Sequence, residues 1–301
     1  MSKIIVSGSD DTYFQVTLEL IESIRRHEDG HRLPIAIIDG GLTLDQKVAL
    51  DRQGIHVVAP YVPAYVSEKK LEKRRNLVVN VSKLWLNRLF SRYDTVLWID
   101  ADAWVQDFRA VELLFDAAAM GHLAIVSEAG RFVIDQVPIR WIMPGLAQVR
   151  SFLYKSANHA RLSWKVRRNL SAKATLNAGV FALNVNAPHW KLLQAWQSTI
   201  LKKGKIFTSD QLALSLVIYE DEQPVNLMSQ WYNYMGPWRI DSKTRNVVEY
   251  FFPNRPVGIV HLAGQDTMRR DLTHQIEVTD IEGIRKKTSL RYKQIEVDLA
   301  A

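Results

Sequence analysis

The sequence predicts an α/β protein: a mixed, mainly parallel sheet flanked by helices in a single domain. Short Val- and Ile-rich runs recur along the chain, and longer segments with apolar residues at helical spacing separate them. That alternation is the signature of βαβ units. No repeat or low-complexity linker interrupts residues 1 to 270, so one continuous domain is expected there.

The predicted strands, in order, are "KIIVSG" (3 to 8), "PIAIIDG" (34 to 40), "HVVAP" (56 to 60), "TVLWID" (95 to 100), "LAIVSE" (123 to 128), "AGVFALN" (178 to 184), "PVNLM" (224 to 228) and "GIVHLAG" (258 to 264). Between the first two, Phe14, Leu18, Ile21 and Ile24 recur at the spacing of one helix face. Further helices are predicted around Val81 to Phe90, around Trp190 to Leu201, and from Leu212 to Tyr219 with Ser209 as N-cap. Residues 129 to 176 depart from the pattern: the rhythm fades while Arg, Trp and Phe alternate. Long insertions in α/β folds usually shape a substrate site. After residue 270 the chain turns polar and charged, which suggests an appended basic tail or helix over 271 to 301.

Composition narrows the function. The chain has 301 residues, 47% hydrophobic and 24% charged, as expected of a globular protein with a large core. No run approaches the roughly 18 to 20 apolar residues of a membrane span, and "MSKIIVSGSDD" lacks a signal-peptide pattern. A cytoplasmic location is expected. With no cysteine, disulfides, thiolate metal sites and a cysteine nucleophile are excluded. Any metal must sit on oxygen and imidazole. The net charge of +7 fits an anionic partner or a solvated basic face, and much of it lies in residues 155 to 173 and 283 to 294. Neither segment carries a nucleic-acid motif, so nucleic acid is set aside.

The stretch "DTVLWIDADAWV" (94 to 105) drives an apolar strand up to two aspartates one residue apart. If the chain stays extended past Ile99, Asp100 and Asp102 point the same way. Converging carboxylates at a strand end repel and lose hydration, and a divalent cation relieves both costs. Ligands of open α/β sheets bind outside the carboxyl ends of the strands, where this pair falls. The same rule brings His261, at the end of "GIVHLAG", to that edge. A lone histidine there is ordinarily a satisfied core residue; beside two carboxylates it suits Mn²⁺ better than Ca²⁺.

Together, "SKLWLNRLFSRYDTVLWIDADAWV", "LNAGVFALN", "SDQLALSLVIYE", "QWYNY" and "IVHLAG" resemble, in order over residues 3 to 267, the retaining GT-A glycosyltransferases of family 8. That family includes glycogenin and bacterial lipopolysaccharide galactosyl- and glucosyltransferases. The resemblance implies a GT-A, Rossmann-like fold. It further implies a hexosyltransferase that takes a UDP-sugar donor and a glycan or glycolipid acceptor, with Mn²⁺ (or Mg²⁺) as cofactor. Asp100, Asp102 and His261 would hold the metal against the donor diphosphate. Tyr13 matches a tyrosine that stacks on uracil, with Asp10 or Asp11 beside it; taken alone, Tyr13 is also a half-buried aromatic at a helix start. Lys83 matches a lysine that approaches the donor phosphates and sugar, although a lysine on an amphipathic helix ordinarily faces solvent. Asn177 matches an asparagine that touches the donor sugar, with Gly179 allowing close backbone approach. Asp210 and Gln211 match a pair whose aspartate binds sugar hydroxyls and whose glutamine lies near the anomeric carbon. Both equally suit a helix start. Asn233 matches a further sugar-side or acceptor-side asparagine, and Gly264 belongs to the late motif H-x-x-G-x-x-K. There the chain departs from the family: Thr267 stands where a diphosphate-holding lysine is expected, and Arg269 or Arg270 is the candidate substitute.

Two other classes compete. A haloacid-dehalogenase-type phosphatase also sets D-x-D after a strand, but there the motif opens the first strand, whereas about ninety residues of α/β pattern precede Asp100. A non-catalytic sugar-nucleotide or glycan binder on the same fold is the other, favoured by the missing lysine. The insert's Trp141, Phe152, Tyr154 and Trp164 could stack on acceptor sugars. Its basic residues could meet anionic glycolipid or a membrane surface at the cytoplasmic face.

Overall fold

The eight apolar runs all fold as strands, and seven of them build one sheet. The structure is a computed structural model that describes residues 1–72, 74–128, 139–144, 146–149 and 151–293. In chain order the strands are β1 (Lys3–Ser9), β2 (Ile35–Asp39), β3 (His56–Val58), β4 (Thr95–Ile99), β5 (Ala103–Val105), β6 (Leu123–Ser127), β7 (Ile139–Met143), β8 (Leu146–Val149), β9 (Leu176–Asn184), β10 (Val225–Met228), β11 (Arg239–Ile240), β12 (Val247–Val248), β13 (Ile259–His261), β14 (Ile276–Asp280) and β15 (Arg285–Thr288). The main sheet has the order β10-β6-β9-β4-β1-β2-β3. Its neighbours pair in parallel except around β9, which is antiparallel to both β4 and β6.

Both faces of this sheet are covered, which is why its strands read as continuous apolar runs rather than alternating ones. Ile4, Val6, Val96 and Trp98 enter a core closed by the helices His189–Lys203 and Ser209–Tyr219. Ile5, Leu97 and Ile99 enter the opposite core with Leu20, Ile21 and Ile24 of helix Phe14–Arg25 and Leu114 and Phe115 of helix Arg109–Ala119. The chain builds β1, β2 and β3 outward in one direction and then returns to place β4 on the other side of β1. That reversal opens a crevice at the carboxyl ends of β1 and β4. Because β9 runs the opposite way, its amino end, with Leu176 and Asn177, reaches the same edge.

Several elements depart from the sequence reading. "GIVHLAG" leaves the main sheet: β13 pairs antiparallel with β5, His261 opposite Ala103. The helix expected over Val81 to Phe90 breaks into Val78–Ser82, a 3-10 turn Lys83–Trp85 and Leu86–Leu89. Ser209 is no N-cap; its hydroxyl donates to the Ile206 carbonyl at 2.9 Å, and Thr208 holds the cap position. Within the insert, β7 and β8 form a hairpin, and short helices Phe152–His159 and Trp164–Leu170 begin at Ser151 and Ser163. Each serine hydroxyl accepts an N–H from the residue three positions on, at 3.3 Å. The Trp141 side chain lies outside the described residues, while Phe152 and Trp164 are exposed.

The expected tail or helix after residue 270 is instead a β-hairpin, for β14 and β15 extend a four-stranded sheet with β11 and β12. Beyond it Arg291 is buried. Its Nε donates to both carboxylate oxygens of Glu19 at 3.1 and 3.0 Å, and its Nη1 donates to the carbonyls of Met268 and Arg269. The C-terminal segment thereby props the short helix Asp266–Arg270. Arg291→Leu should destabilise the protein by about 3–5 kcal/mol, because it strands a buried carboxylate. Glu19→Leu combined with Arg291→Leu should recover most of that loss. Denaturant midpoints of the single and double variants check both statements.

Candidate active site

At the carboxyl edge of β4 the chain does not stay extended. Asp100 and Asp102 lie in a turn closed by the Ala103 N–H on the Asp100 carbonyl at 3.0 Å. They converge because of that turn and not through strand alternation. The Leu262 N–H bonds the Asp102 carbonyl at 2.9 Å, and the β5–β13 ladder sets His261 beside the pair. Its Nε2 stands 3.4 Å from Asp102 Oδ1 and 3.9 Å from Asp100 Oδ2.

One ligand atom from each of these three residues lies within 4.8 Å of the others. His261 Nδ1 meets Asn233 Oδ1 at 2.8 Å. Since an amide oxygen only accepts, Nδ1 is the donor in this contact, which leaves Nε2 as the ring nitrogen turned toward the two carboxylates and open to a cation. Two carboxylates and an imidazole so arranged fit one divalent cation of the Mn²⁺ type. Gly179 makes room for this imidazole: a Cβ there would come within 2.3 Å of His261 Cε1. The close approach expected at Gly179 is thus made by the histidine ring.

Lys83 is not solvent-facing. It is 3% exposed, and its Nζ stands 3.0 Å from both Asp100 Oδ1 and Asp210 Oδ2 and 3.2 Å from the Ala178 carbonyl. Burial alone lowers its pKa, but Asp100 and Asp210 together reverse that and hold it above the ordinary lysine value. Trp98, fully in the core, donates Nε1–H to the same Asp100 Oδ1 at 2.6 Å. Burial raises the Asp102 pKa, yet His261 and then Arg269 outweigh it, so the carboxyl falls well below the usual range. Arg269 Nη1 donates to Asp102 Oδ2 at 2.5 Å.

A cleft of about 420 Å³ opens over these groups. Asp10, Tyr13, Asp100, Asp102, Asn177, Asp210, Gln211, Gly264 and Arg269 all line it. Lys83 and His261 lie beneath it and act on it through Asp100, Asp210 and Asp102. Of the two aspartates beside Tyr13, Asp10 faces the cleft and accepts the Tyr13 N–H at 2.9 Å. Asp11 does not line it; it takes Gln46 Nε2 at 2.6 Å on the exposed side. The Arg269 guanidinium lies 5.6 Å from the Tyr13 ring centre. Burial raises the pKa of the Tyr13 phenol. Gly264 adopts φ +83°, a left-handed conformation open to glycine, which brings its backbone to the cleft wall. Arg270 is exposed, so only one of the two candidate arginines reaches the cleft.

Sequence reasoning passed over four contributors. Glu128, directly after β6, accepts both the Asn177 and Gln211 amides on Oε1, at 2.8 and 3.1 Å. Asn80 donates to Asp210 Oδ2 at 3.3 Å. Arg74 stacks over Phe207 at 5.0 Å, and both line the cleft. A signal existed for Glu128 alone: like Asp100, it is a carboxylate placed straight after an apolar run.

Among curated protein sequences none matches the chain. Its fold is similar to that of several solved proteins. The WbbM bifunctional glycosyltransferase shares 20% identity at a TM-score of 0.56, over 87% of this chain but only 46% of that one. This chain therefore spans under half of WbbM. The galactosyltransferase LgtC, solved with donor and acceptor sugar analogues, shares 15% identity at 0.52, over 87% of each chain. Mouse xyloside xylosyltransferase 1 shares 12% identity at 0.50, over 87% of this chain and 97% of that one. Family membership comes from the sequence itself, since the profile of glycosyl transferase family 8 matches residues 4–266. A match of that span overturns the phosphatase reading, and the chain belongs to glycosyltransferase family 8.

Proposed function

We propose that the protein is a metal-dependent hexosyltransferase that moves a sugar from a UDP-sugar to a glycan or glycolipid hydroxyl, with retention at the anomeric carbon. The observation that carries this reading is the convergence of Asp100, Asp102 and His261 at the floor of one cleft that Gln211, Asp210 and Asn177 also line or support. Mn²⁺, or Mg²⁺ in its place, is the cofactor; when bound it offsets the charge that develops on the departing diphosphate. Asp10 and Tyr13 hold the nucleobase end and Asp210 binds the sugar, while Asn177 lines the sugar's side of the cleft with its amide taken up by Glu128, Gly179 and Asn233. Gln211 sets its amide against the anomeric carbon; being neutral, it polarises and cannot exchange a proton. The acceptor attacks from the face the leaving group vacates, and the departing phosphate takes its proton.

Arg269 takes the place of the lysine absent at Thr267. It lines the cleft and holds its guanidinium against Asp102 through Nη1, which sets a positive charge beside the metal-site carboxylates where a diphosphate would lie. Residues 1–270 carry the catalytic groups, 129–176 form the acceptor side, and the hairpin after residue 270 completes the fold rather than standing apart as a basic extension. Exposed Phe152 and Trp164 offer stacking to the acceptor or an anionic membrane face. Among the described residues no helix is long and apolar enough to cross a membrane, in keeping with peripheral contact from the cytoplasm.

A thermal-shift screen of UDP-glucose, UDP-galactose and related donors, with and without Mn²⁺, tests this reading. A rise seen only with one donor and metal together is expected. Arg269→Ala should lose most of that rise while still binding Mn²⁺; an unchanged rise would remove Arg269 from the diphosphate site. Binding without UDP release above background, with or without acceptor, would leave a non-catalytic binder instead.

A further inference from the structure

We propose that Glu128 is a positioning residue that turns the Gln211 carbonyl into the cleft and couples it, through Asn177 and Asn233, to the imidazole of His261. The proposal rests on the reading of the cleft as a sugar-transfer site. Glu128 leaves β6 just past the register shift at Ile125 and Val126, and its N–H bonds the Thr175 carbonyl at 2.8 Å. That bend delivers its carboxylate to the amino end of β9. There Oε1 accepts from Gln211 Nε2 at 3.1 Å and from Asn177 Nδ2 at 2.8 Å. Asn177 Oδ1 in turn accepts from the Gly179 N–H at 2.8 Å and from Asn233 Nδ2 at 2.9 Å. Asn233 Oδ1 then meets His261 Nδ1 at 2.8 Å.

The direction of this chain is set by its acidic member. A carboxylate accepts only, so both neighbouring amides must offer it their NH₂ groups. Asn177 is left with its carbonyl toward Asn233, Asn233 with its carbonyl toward His261, and His261 must donate from Nδ1. Nε2 is therefore the nitrogen left to face Asp100 and Asp102. At the other end, with its NH₂ held by Glu128, Gln211 presents Oε1 to the cleft it lines. An amide carbonyl there favours positive charge at a reacting carbon, whereas an inverted amide would oppose it. One carboxylate thus fixes the polarity of the metal ligand and of the amide beside the sugar.

Glu128→Ala and Glu128→Gln separate this role from a general structural one. In Glu128→Ala, kcat for UDP-sugar transfer should fall about 10- to 100-fold with KM for the donor within about twofold, as for loss of a transition-state contact. Its Mn²⁺ affinity, read by electron paramagnetic resonance of free Mn²⁺ without nucleotide, should weaken about tenfold, as for an outer-shell partner. Glu128→Gln retains a carbonyl acceptor for both amides and should recover most of kcat and affinity. Wild-type kcat in Glu128→Ala, equal losses in both variants, or an unchanged Mn²⁺ affinity in Glu128→Ala would each overturn the proposal. If the wild-type chain binds Mn²⁺ and transfers nothing, the sugar-transfer reading falls, and metal affinity alone then judges the hydrogen-bond chain.

Discussion

Asp100→Ala should lower metal-dependent sugar transfer by about a thousandfold or more, equivalent to about 4 kcal/mol of transition-state stabilisation. Asp100 is the most open of the three clustered residues, its side chain 31% exposed against 7% for Asp102 and 4% for His261. Its two oxygens have separate tasks. Oδ1 is saturated by Lys83 and Trp98, while Oδ2 turns toward His261 Nε2. Removing the carboxylate leaves two of the three groups proposed to hold the metal and takes one counter-charge from Lys83. Lys83 then keeps Asp210 alone, so the variant should still fold but melt below the wild type. Initial rates of UDP release at matched Mn²⁺, together with Mn²⁺ affinity, check the prediction. Wild-type rates in the variant would remove the D-x-D pair from the chemistry.

The strands were legible because the main sheet is buried on both faces: runs such as "KIIV" and "TVLWI" have few other ways to satisfy so many apolar side chains. What sequence could not supply was direction. Nothing in "LNAGVFALN" says that it runs against its neighbours, yet that reversal puts Asn177 on the active edge rather than some 25 Å away, at about 3.3 Å per residue along the strand. The three-residue β5 follows the aspartate turn too closely to be separated from it by pattern, and its pairing with β13 went unseen for that reason. The capped helices of the insert were announced by Ser151 and Ser163, a cue outweighed by the surrounding aromatic and basic residues.

The site was legible in its charged members and obscure in its supports. Asp100, Asp102 and His261 stand out because like charges and an imidazole at strand ends need a common partner. Amides carry no such signal. Asn233 and Asn177 become meaningful only once hydrogen bonds at 2.8–2.9 Å join them to His261 and Glu128. Lys83 was legible only through the family resemblance. Helical spacing predicts an outward lysine, but the 3-10 turn Lys83–Trp85 and two facing carboxylates draw it inward.

That inward lysine makes Lys83→Met the most severe of the expected losses. Asp210, itself 5% exposed, and Asp100 share the single ammonium. A methionine fills similar volume but leaves two carboxylates facing each other without a cation, which should cost about 3–5 kcal/mol of stability and scatter the two donor-side carboxylates as well. Lys83→Arg should not rescue, since a planar guanidinium cannot take the place of a compact ammonium enclosed by Asp100, Asp210 and the Ala178 carbonyl. The pH dependence follows from the raised pKa. The stabilisation is fully present below the ordinary lysine value of about 10.4 and fades only as pH rises through the higher folded value. Denaturation midpoints should therefore differ between wild type and Lys83→Met by a constant amount from pH 7 to 9. A difference that shrank across that range would mean that Lys83 sheds its proton in the folded protein, and the paired-carboxylate account of the cleft floor would fail.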